Sequence, residues 1–261
     1  MMKFYFPFHL VTVSPWPLML SFSLMLTMIG FIKFIIMKKI FLFTLSFILL
    51  IFLMIQWWRD VTRESTIQGF HSMKVLKGIQ LGMLLFILFE IMFFLSFFWS
   101  YFHLILSPGV EIGMNFPLNN IILFNPFNVP LLNTIILLSS GVSITLTHFC
   151  ILMSHKKMSL LNIFITIFLG GIFSIFQYLE YNESYFNITD SCYGSIFFLM
   201  TGFHGIHVII GTLFILITYL RLYLNHCSFI HHFNFEGASW YWHFVDVIWL
   251  FLFLFIYWLI Y

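Results

Sequence analysis

The sequence predicts an all-α, polytopic membrane protein, and three observations support that prediction. Hydrophobic residues make up 62% of the 261 residues and charged residues only 8%, whereas a soluble domain carries roughly 25% charged residues. Apolar residues fall into long runs, which charges, prolines, asparagines and glycines interrupt. Several runs reach the roughly 20 residues that a helix needs to cross a bilayer. We therefore expect a single transmembrane domain over residues 1–261 and no separate water-soluble domain.

Seven transmembrane helices are predicted when the apolar pattern is divided at its polar interruptions. In chain order they cover residues 15–36, 40–58, 73–106, 129–154, 158–181, 191–224 and 235–260. The third and the sixth are longer than the bilayer is thick, so we expect them to tilt or to project from it. The N-terminal residues have neither a signal-peptide nor a transit-peptide pattern, and we expect no segment to be removed.

Positive charge is unequal on the two sides of this arrangement, where side A is the side of the N-terminus. Side A receives Lys3, Arg59, Arg63, Lys74, Lys77, Lys156, Lys157 and Arg221, and side B receives Lys33, Lys38 and Lys39. By the positive-inside rule, side A faces the compartment of synthesis. The net charge of +2 is too small and too scattered to indicate a nucleic-acid surface.

The second predicted span ends in a motif rich in tryptophan and arginine, WWRDVTRE at residues 57–64, and His71 follows it. Paired indoles favour the headgroup depth of a membrane, and two arginines one turn apart can face a lipid phosphate. The motif is compatible with an interfacial anchor that has local ion pairs, and equally with a specific phospholipid site. The two interpretations are not exclusive.

Two acidic residues lie deep inside predicted spans, away from the span ends. Glu90 is near the middle of the third span, where an ionised carboxylate costs about 3 kcal/mol or more; we therefore predict a protonated acid that faces the bundle interior. It either bonds to a neighbouring helix or takes part in proton or oxygen handling. Asp246 in the seventh span follows His243 by three residues, on the same helix face. These two residues form either a hydrogen-bonded structural pair or part of a proton relay.

Histidines are numerous, but they do not predict a metal or haem site. Binding of haem between two helices needs histidines at matched depths on facing spans. His204 and His207 in the sixth span form the best local pair. His148, however, lies near the side A end of the fourth span and His103 near the side B end of the third. Most of the other histidines, His232 among them, fall at side A edges, where solvation suits them. The three cysteines share no metal-binding spacing: Cys150, Cys192 and Cys227. We expect no metal ligands in this chain.

The sixth span also carries a stripe of small residues. Gly194, Thr201, Gly205 and Thr212 recur at intervals of seven, four and seven residues, which returns them to nearly one helix face. Small residues on one face allow another helix to approach closely. We predict that this stripe is a helix-packing surface.

Five segments resemble cytochrome c oxidase subunit III, in order and over almost the whole chain. They begin PFHLVTVSPWPL, WWRDVTRESTIQGFH, NPFNVPLLNT, DSCYGSIFFLM and FEGASWYWHFVD, and cover residues 7–18, 57–71, 125–145, 190–211 and 235–258. The resemblance implies a two-helix and a five-helix bundle around a phospholipid cleft. It also implies a mitochondrial inner-membrane protein with its N-terminus in the matrix and its C-terminus in the intermembrane space.

The same resemblance implies a role without a catalytic residue or redox centre in this chain. The chain would be a core subunit of the terminal respiratory complex, which reduces oxygen with electrons from cytochrome c and translocates protons. Haem and copper are expected in partner subunits, and this chain would pack on catalytic subunit I and sustain assembly, lipid retention and proton pumping. Glu90 becomes the buried acid near a proposed oxygen route. The lipid-contacting candidates are Trp57, Trp58, Arg63, Glu64, His71 and Arg221.

Two other functions remain open from the residues. Glu90 and Asp246 are intramembrane acids of the kind that carry protons in secondary transporters. Transporters, however, often contain internal repeats, and the sequence shows none. A bacterial quinol oxidase has a corresponding subunit, which usually lacks the first two spans that are present here.

Overall fold

The computed structural model describes residues 9, 11–110, 113, 116–117, 121–228 and 231–261. Within that part of the chain the regular structure is helical, and the prediction of an all-α protein with seven candidate membrane spans is confirmed. The helices are α1 (Trp16–Met37), α2 (Phe41–Thr66), α3 (Met73–Leu106), α4 (Val129–Leu152), α5 (Lys156–Asn182), α6 (Cys192–Tyr223) and α7 (Phe233–Leu252). A π-helical segment, Phe253–Trp258, continues α7.

Helix α2 is longer than the apolar run that predicted it. The predicted span stops at Trp58, whereas the helix continues through the charged motif to Thr66. After Trp58 the chain contains no proline or glycine until Gly69, which has φ +66°. Hydropathy therefore marks where the side chains become polar, whereas the helix ends only near the residue that leaves helical geometry.

The chain divides into two compact units, Met1–Ile79 and Gln80–Tyr261, and the boundary lies within α3. In the first unit α1 packs against α2. A Cβ atom added to Gly30 would lie 2.8 Å from the Cα of Phe43, so the two backbones approach closely at this glycine. Ser23, Thr27 and Ser46 are buried there, and each hydroxyl donates to a carbonyl one turn earlier in its own helix. The hairpin thus packs through small side chains, as membrane helices commonly do.

We expect Gly30→Ala to destabilise this hairpin by about 1–3 kcal/mol, because the added methyl group meets backbone that cannot rotate away. Gly78→Ala is the control, since an added Cβ there has no neighbour within 4 Å and alanine favours a helix. The thermal dissociation of the subunit from its purified complex would measure both. Equal effects of the two substitutions would contradict the close approach.

The second unit is organised around α7, which packs against α4 and α6, while α5 packs against both α4 and α6. Trp242 of α7 is fully buried, and its indole Nε1 donates to Ser140 Oγ of α4 at 2.8 Å. A Cβ added to Gly170 of α5 or to Gly211 of α6 would lie 2.8 or 2.9 Å from this indole ring. The ring is therefore seated among three helices, two of which require glycine at the contact.

Polar side chains connect other helices of the second unit. The hydroxyl oxygens of Ser143 on α4 and Thr166 on α5 are 2.9 Å apart and share a hydrogen bond. Gln177 Nε2 of α5 donates to the Thr201 carbonyl of α6 at 2.9 Å. Ser191 caps α6, because its hydroxyl accepts from the Gly194 amide at 3.0 Å. These bonds satisfy groups that lipid cannot solvate.

Candidate lipid-facing and intramembrane sites

The acidic residues of the α2 motif are held by partners within the first unit. Trp16 Nε1 donates to Asp60 Oδ2 at 2.7 Å, and Arg59 approaches the other oxygen at 3.2 Å. Thr12 donates to Glu64 Oε1 at 2.7 Å, and His9 Nε2 lies 3.6 Å from Glu64 Oε2. Both carboxylates are thus tied to the segment around the start of α1.

The arginine side chains and Trp58 of the motif are more exposed than its acidic side chains. The Arg63 side chain is 55% exposed, and its guanidinium lies 3.7 Å from Asp60, a long contact for an ion pair. Trp58 is 52% exposed, whereas Trp57 and His71 are half-buried. The His71 ring lies edge-on to that of His9, with centroids 5.7 Å apart. The end of α2 therefore presents a guanidinium and an indole, with its acids engaged.

Arg221 belongs to the second unit and lies in the last turn of α6. Its Nε is buried and finds no hydrogen-bond acceptor among the described residues. Burial raises the pKa of the nearby Cys227 thiol, and the positive charge of Arg221 opposes part of that rise. A half-buried guanidinium with an unused donor can accept an anionic ligand.

Glu90 contacts a histidine on another helix of the second unit. Its Oε2 lies 2.9 Å from His207 Nε2 of α6. His207 Nδ1 lies 2.7 Å from the Phe203 carbonyl, which can only accept, so Nδ1 carries a hydrogen. In a neutral imidazole Nε2 is then an acceptor, and the Glu90 hydroxyl is the donor that matches it. The alternative is a charged imidazolium–carboxylate pair.

Asp246 and His243 lie near each other on α7 without a hydrogen bond between them. His243 Nδ1 is 3.9 Å from Asp246 Oδ2, too far for such a bond. Asp246 is buried beside Gly141 of α4, where an added Cβ would lie 3.0 Å from Oδ2, and its Oδ1 finds no partner among the described residues. The His243 side chain is 43% exposed. The two residues are therefore neighbours on one helix face, but the hydrogen bond expected from their spacing is absent.

The predicted packing stripe of α6 faces two different neighbours. Thr201, Gly205 and Thr212 face α5: Gln177 reaches Thr201 and Gly205, and Thr212 lies at Gly170. Gly194 instead lies against the Asn187 carbonyl in the preceding connection, where a Cβ would come within 2.6 Å. Three of the four residues therefore line one helix interface.

The two histidines of α6 have separate environments. His204 is fully buried, its Nε2 lies 3.2 Å from the Val245 carbonyl, and its ring contacts Trp249. His207 is directed to Glu90 and Phe203 instead. The sequence pair therefore does not present two nitrogens to one ligand position.

Another histidine cluster was not evident from the sequence. His148 Nε2 of α4 lies 3.3 Å from His232 Nε2, which lies 3.3 Å from Glu236 Oε1 of α7. These residues are the one group of metal-ligand type found in the described part of the second unit. The spacing of His232 and Glu236, four residues apart across the start of a helix, was a signal that could have found two of the three.

These observations define the class as an all-α polytopic membrane protein in which several intramembrane polar side chains bond between helices. A sequence profile described as "Cytochrome c oxidase subunit III" matches residues 6–261. The protein named cytochrome c oxidase subunit 3 from Drosophila melanogaster is 52% identical over 97% of this chain and 96% of its own length. Those from Pisaster ochraceus and Heterololigo bleekeri are 49% and 48% identical, each over 97% of both chains. The chain belongs to the cytochrome c oxidase subunit III family.

Membership confirms the resemblance that the five sequence segments indicated. The chain is a subunit of the terminal oxidase complex and thus part of an oxidoreductase, with other oxidase subunits as partners. Haem and copper lie in other subunits of the complex. Seven apolar helices and animal relatives indicate a multi-pass inner-membrane protein. The family match favours this function over that of a secondary transporter.

Proposed function

We propose that this chain is a non-redox core subunit that retains phospholipid beside catalytic subunit I and thereby sustains assembly and proton pumping. The observation that supports this most directly is the open guanidinium and indole at the end of α2. Because Asp60 and Glu64 are engaged by other groups, they neutralise Arg63 only weakly. An anionic lipid phosphate would complement this surface.

The chemistry of the candidates suits a phospholipid headgroup. A guanidinium can bind phosphate through two parallel N–H donors, and indoles favour the boundary between headgroups and acyl chains. Trp57, Trp58 and Arg63 supply both functions within two turns of α2. Glu64 and His71 are proposed as the groups that orient this segment, and Arg221 as a second phosphate contact on α6.

The proposed orientation places these arginines on the matrix side of the mitochondrial inner membrane. It rests on the excess of lysine and arginine on side A and puts the C-terminus in the intermembrane space. The phospholipid cleft that the sequence resemblance implies stays a prediction. In this proposal cytochrome c is a substrate of the whole complex, and we expect no nucleic-acid partner.

We expect the combined substitution Arg63→Ala and Arg221→Ala to deplete bound phospholipid and to shorten the active lifetime of the oxidase during turnover. Initial oxygen consumption should stay nearly unchanged, because neither residue touches a redox centre. Lipids in the purified complex can be counted by native mass spectrometry, and the lifetime follows from oxygen uptake over many turnovers.

Lys33→Ala is the matched control, because it removes an exposed cation near the C-terminal end of α1. The α2 motif instead contacts the start of α1, through the bond from Trp16 to Asp60. It should leave the lipid count and the lifetime as in the unmodified complex. An unchanged lipid count in the double variant would overturn the proposed site. A decrease of equal size in the Lys33→Ala complex would show that loss of any exposed positive charge lowers the lipid count, which would contradict a specific site at Arg63 and Arg221.

A further inference from the structure

We propose that His148, His232 and Glu236 form a binding site for a zinc-like divalent transition-metal ion, which joins the end of α4 to the start of α7. This inference is independent of the proposed lipid role. His148 lies four residues before the end of α4, His232 is the N-cap of α7, and Glu236 lies one turn into α7. The predicted topology puts both helix ends on side A.

The separations of the ligand atoms match those that such an ion imposes. Two ligands that are each about 2.0–2.1 Å from a tetrahedral zinc ion lie roughly 3.3–3.4 Å apart. The two imidazole Nε2 atoms are 3.3 Å apart, and His232 Nε2 is 3.3 Å from Glu236 Oε1. All three ligand atoms lie within 4.8 Å of one another. Little rearrangement is needed to bring them around one ion.

Hydrogen bonding directs the His232 lone pair into the cluster. Its Nδ1 lies 3.1 Å from the Ser228 carbonyl, so in a neutral ring Nδ1 carries the hydrogen and Nε2 does not. A carbonyl partner that fixes the opposite ring nitrogen is the usual support of a metal-bound histidine. The free Nε2 then faces another imidazole nitrogen and a carboxylate.

A cation satisfies this arrangement more completely than a shared proton does. One hydrogen on His148 can bond to His232, but it leaves the Glu236 oxygen facing a lone pair. A protonated His232 would direct a single N–H toward two acceptors. A divalent ion attracts all three groups at once, so metal and proton compete for the same position.

The surroundings of the cluster support the ligands and leave a route to it. Gln80 Nε2 donates to the second Glu236 oxygen at 3.4 Å, and the His148 ring stacks on Phe235 with centroids 5.9 Å apart. His232 is buried, whereas the Glu236 side chain is 24% exposed. Three protein ligands leave a fourth position for water or for a group from a partner subunit.

The donor set selects the type of ion. Two imidazoles and one carboxylate suit Zn²⁺, whereas Ca²⁺ and Mg²⁺ prefer oxygen ligands, and Cu⁺ prefers sulfur. A bound ion would add two positive charges where the end of α4 meets the start of α7, and would cross-link these two helices, which already pack together. The expected result is a site that tightens the second unit reversibly.

The direct test uses the intact oxidase that contains this chain, first treated with a chelator and then soaked in Zn²⁺. Anomalous diffraction at the zinc absorption edge should give a peak about 2.0–2.2 Å from the three ligand atoms. Absence of that peak, while the three side chains are well defined in the same map, would overturn the proposal.

Variants provide a second, independent measurement. Glu236→Gln keeps an acceptor for Gln80 but removes the negative ligand, and His148→Asn removes an imidazole. Each removes a direct ligand, so zinc binding at one site should weaken by at least the roughly 10–100-fold that the loss of an outer-shell partner costs. Equilibrium dialysis of the assembled complex with radioactive zinc would measure this. The exposed His155→Asn is the control and should bind as the unmodified complex does. Equal binding by all four complexes would show that the cluster shares only a proton and would overturn the site.

Discussion

Trp242→Ala should be the most damaging single substitution in the second unit, with a loss of about 3–5 kcal/mol in the free energy of unfolding. The indole is fully buried and contacts α4, α5 and α6 together. Its removal would leave a cavity bounded by Gly170 and Gly211, and neither glycine has a side chain that could move into it. We expect the subunit to dissociate from its complex at a clearly lower temperature, with a lower yield of assembled oxidase.

Two further variants separate the effect of the cavity from that of the lost hydrogen bond and from that of replacing a tryptophan at an exposed position. Trp242→Phe keeps most of the ring volume but gives up the bond to Ser140, so its loss should be intermediate. Trp99→Ala removes the same side-chain atoms from a residue that is 72% exposed, and it leaves no cavity inside this chain. If Trp99→Ala lowered the dissociation temperature as much as Trp242→Ala, the cavity would not be the cause.

Hydropathy predicted the seven helices well because crossing the bilayer is a constraint that each segment satisfies alone. It also identified Glu90 and Asp246, since a charge at that depth is costly wherever the helix faces. It could not predict that Glu90 meets His207 and that Asp246 lies against Gly141. Those contacts depend on how each helix is rotated about its own axis and on which helix lies beside it.

The same limit explains why the cluster of His148, His232 and Glu236 was missed. The sequence placed both histidines near side A edges, where ordinary solvation accounts for them. His148 and His232 are 84 residues apart in the chain. Only the packing of the end of α4 against the start of α7 brings their Nε2 atoms to 3.3 Å. The packing stripe of α6 was easier to recognise, because Thr201, Gly205 and Thr212 are related by helical periodicity alone.

Substitutions of Glu90 and His207 should reveal whether this intramembrane pair is neutral or charged. With Nδ1 of His207 engaged by the Phe203 carbonyl, a neutral pair needs Glu90 to donate. His207→Leu would then leave one neutral hydroxyl without an acceptor, which costs about 1–3 kcal/mol. Removal of one partner from a buried ion pair costs about 3–5 kcal/mol. We expect the smaller loss, together with labelling of Glu90 by a hydrophobic carbodiimide at neutral pH.

Glu90→Gln and Glu90→Leu form the matched pair for this prediction. The glutamine amide can donate to His207 Nε2 as the acid does, so stability should be nearly retained, whereas leucine leaves the buried nitrogen unsatisfied and should cost about 1–3 kcal/mol. Absence of carbodiimide labelling in the unmodified complex, or a loss near 5 kcal/mol in His207→Leu, would contradict a neutral pair.

The same variants decide between the structural role of Glu90 and a role in proton or oxygen handling. Glutamine preserves the hydrogen bond but cannot release a proton, so Glu90→Gln removes chemistry while it keeps the contact between α3 and α6. If proton pumping and oxygen uptake persist in a stable Glu90→Gln complex, the pair serves to join these helices. If pumping falls while stability and lipid content are unchanged, the acid itself is required, because the hydrogen bond alone then does not suffice.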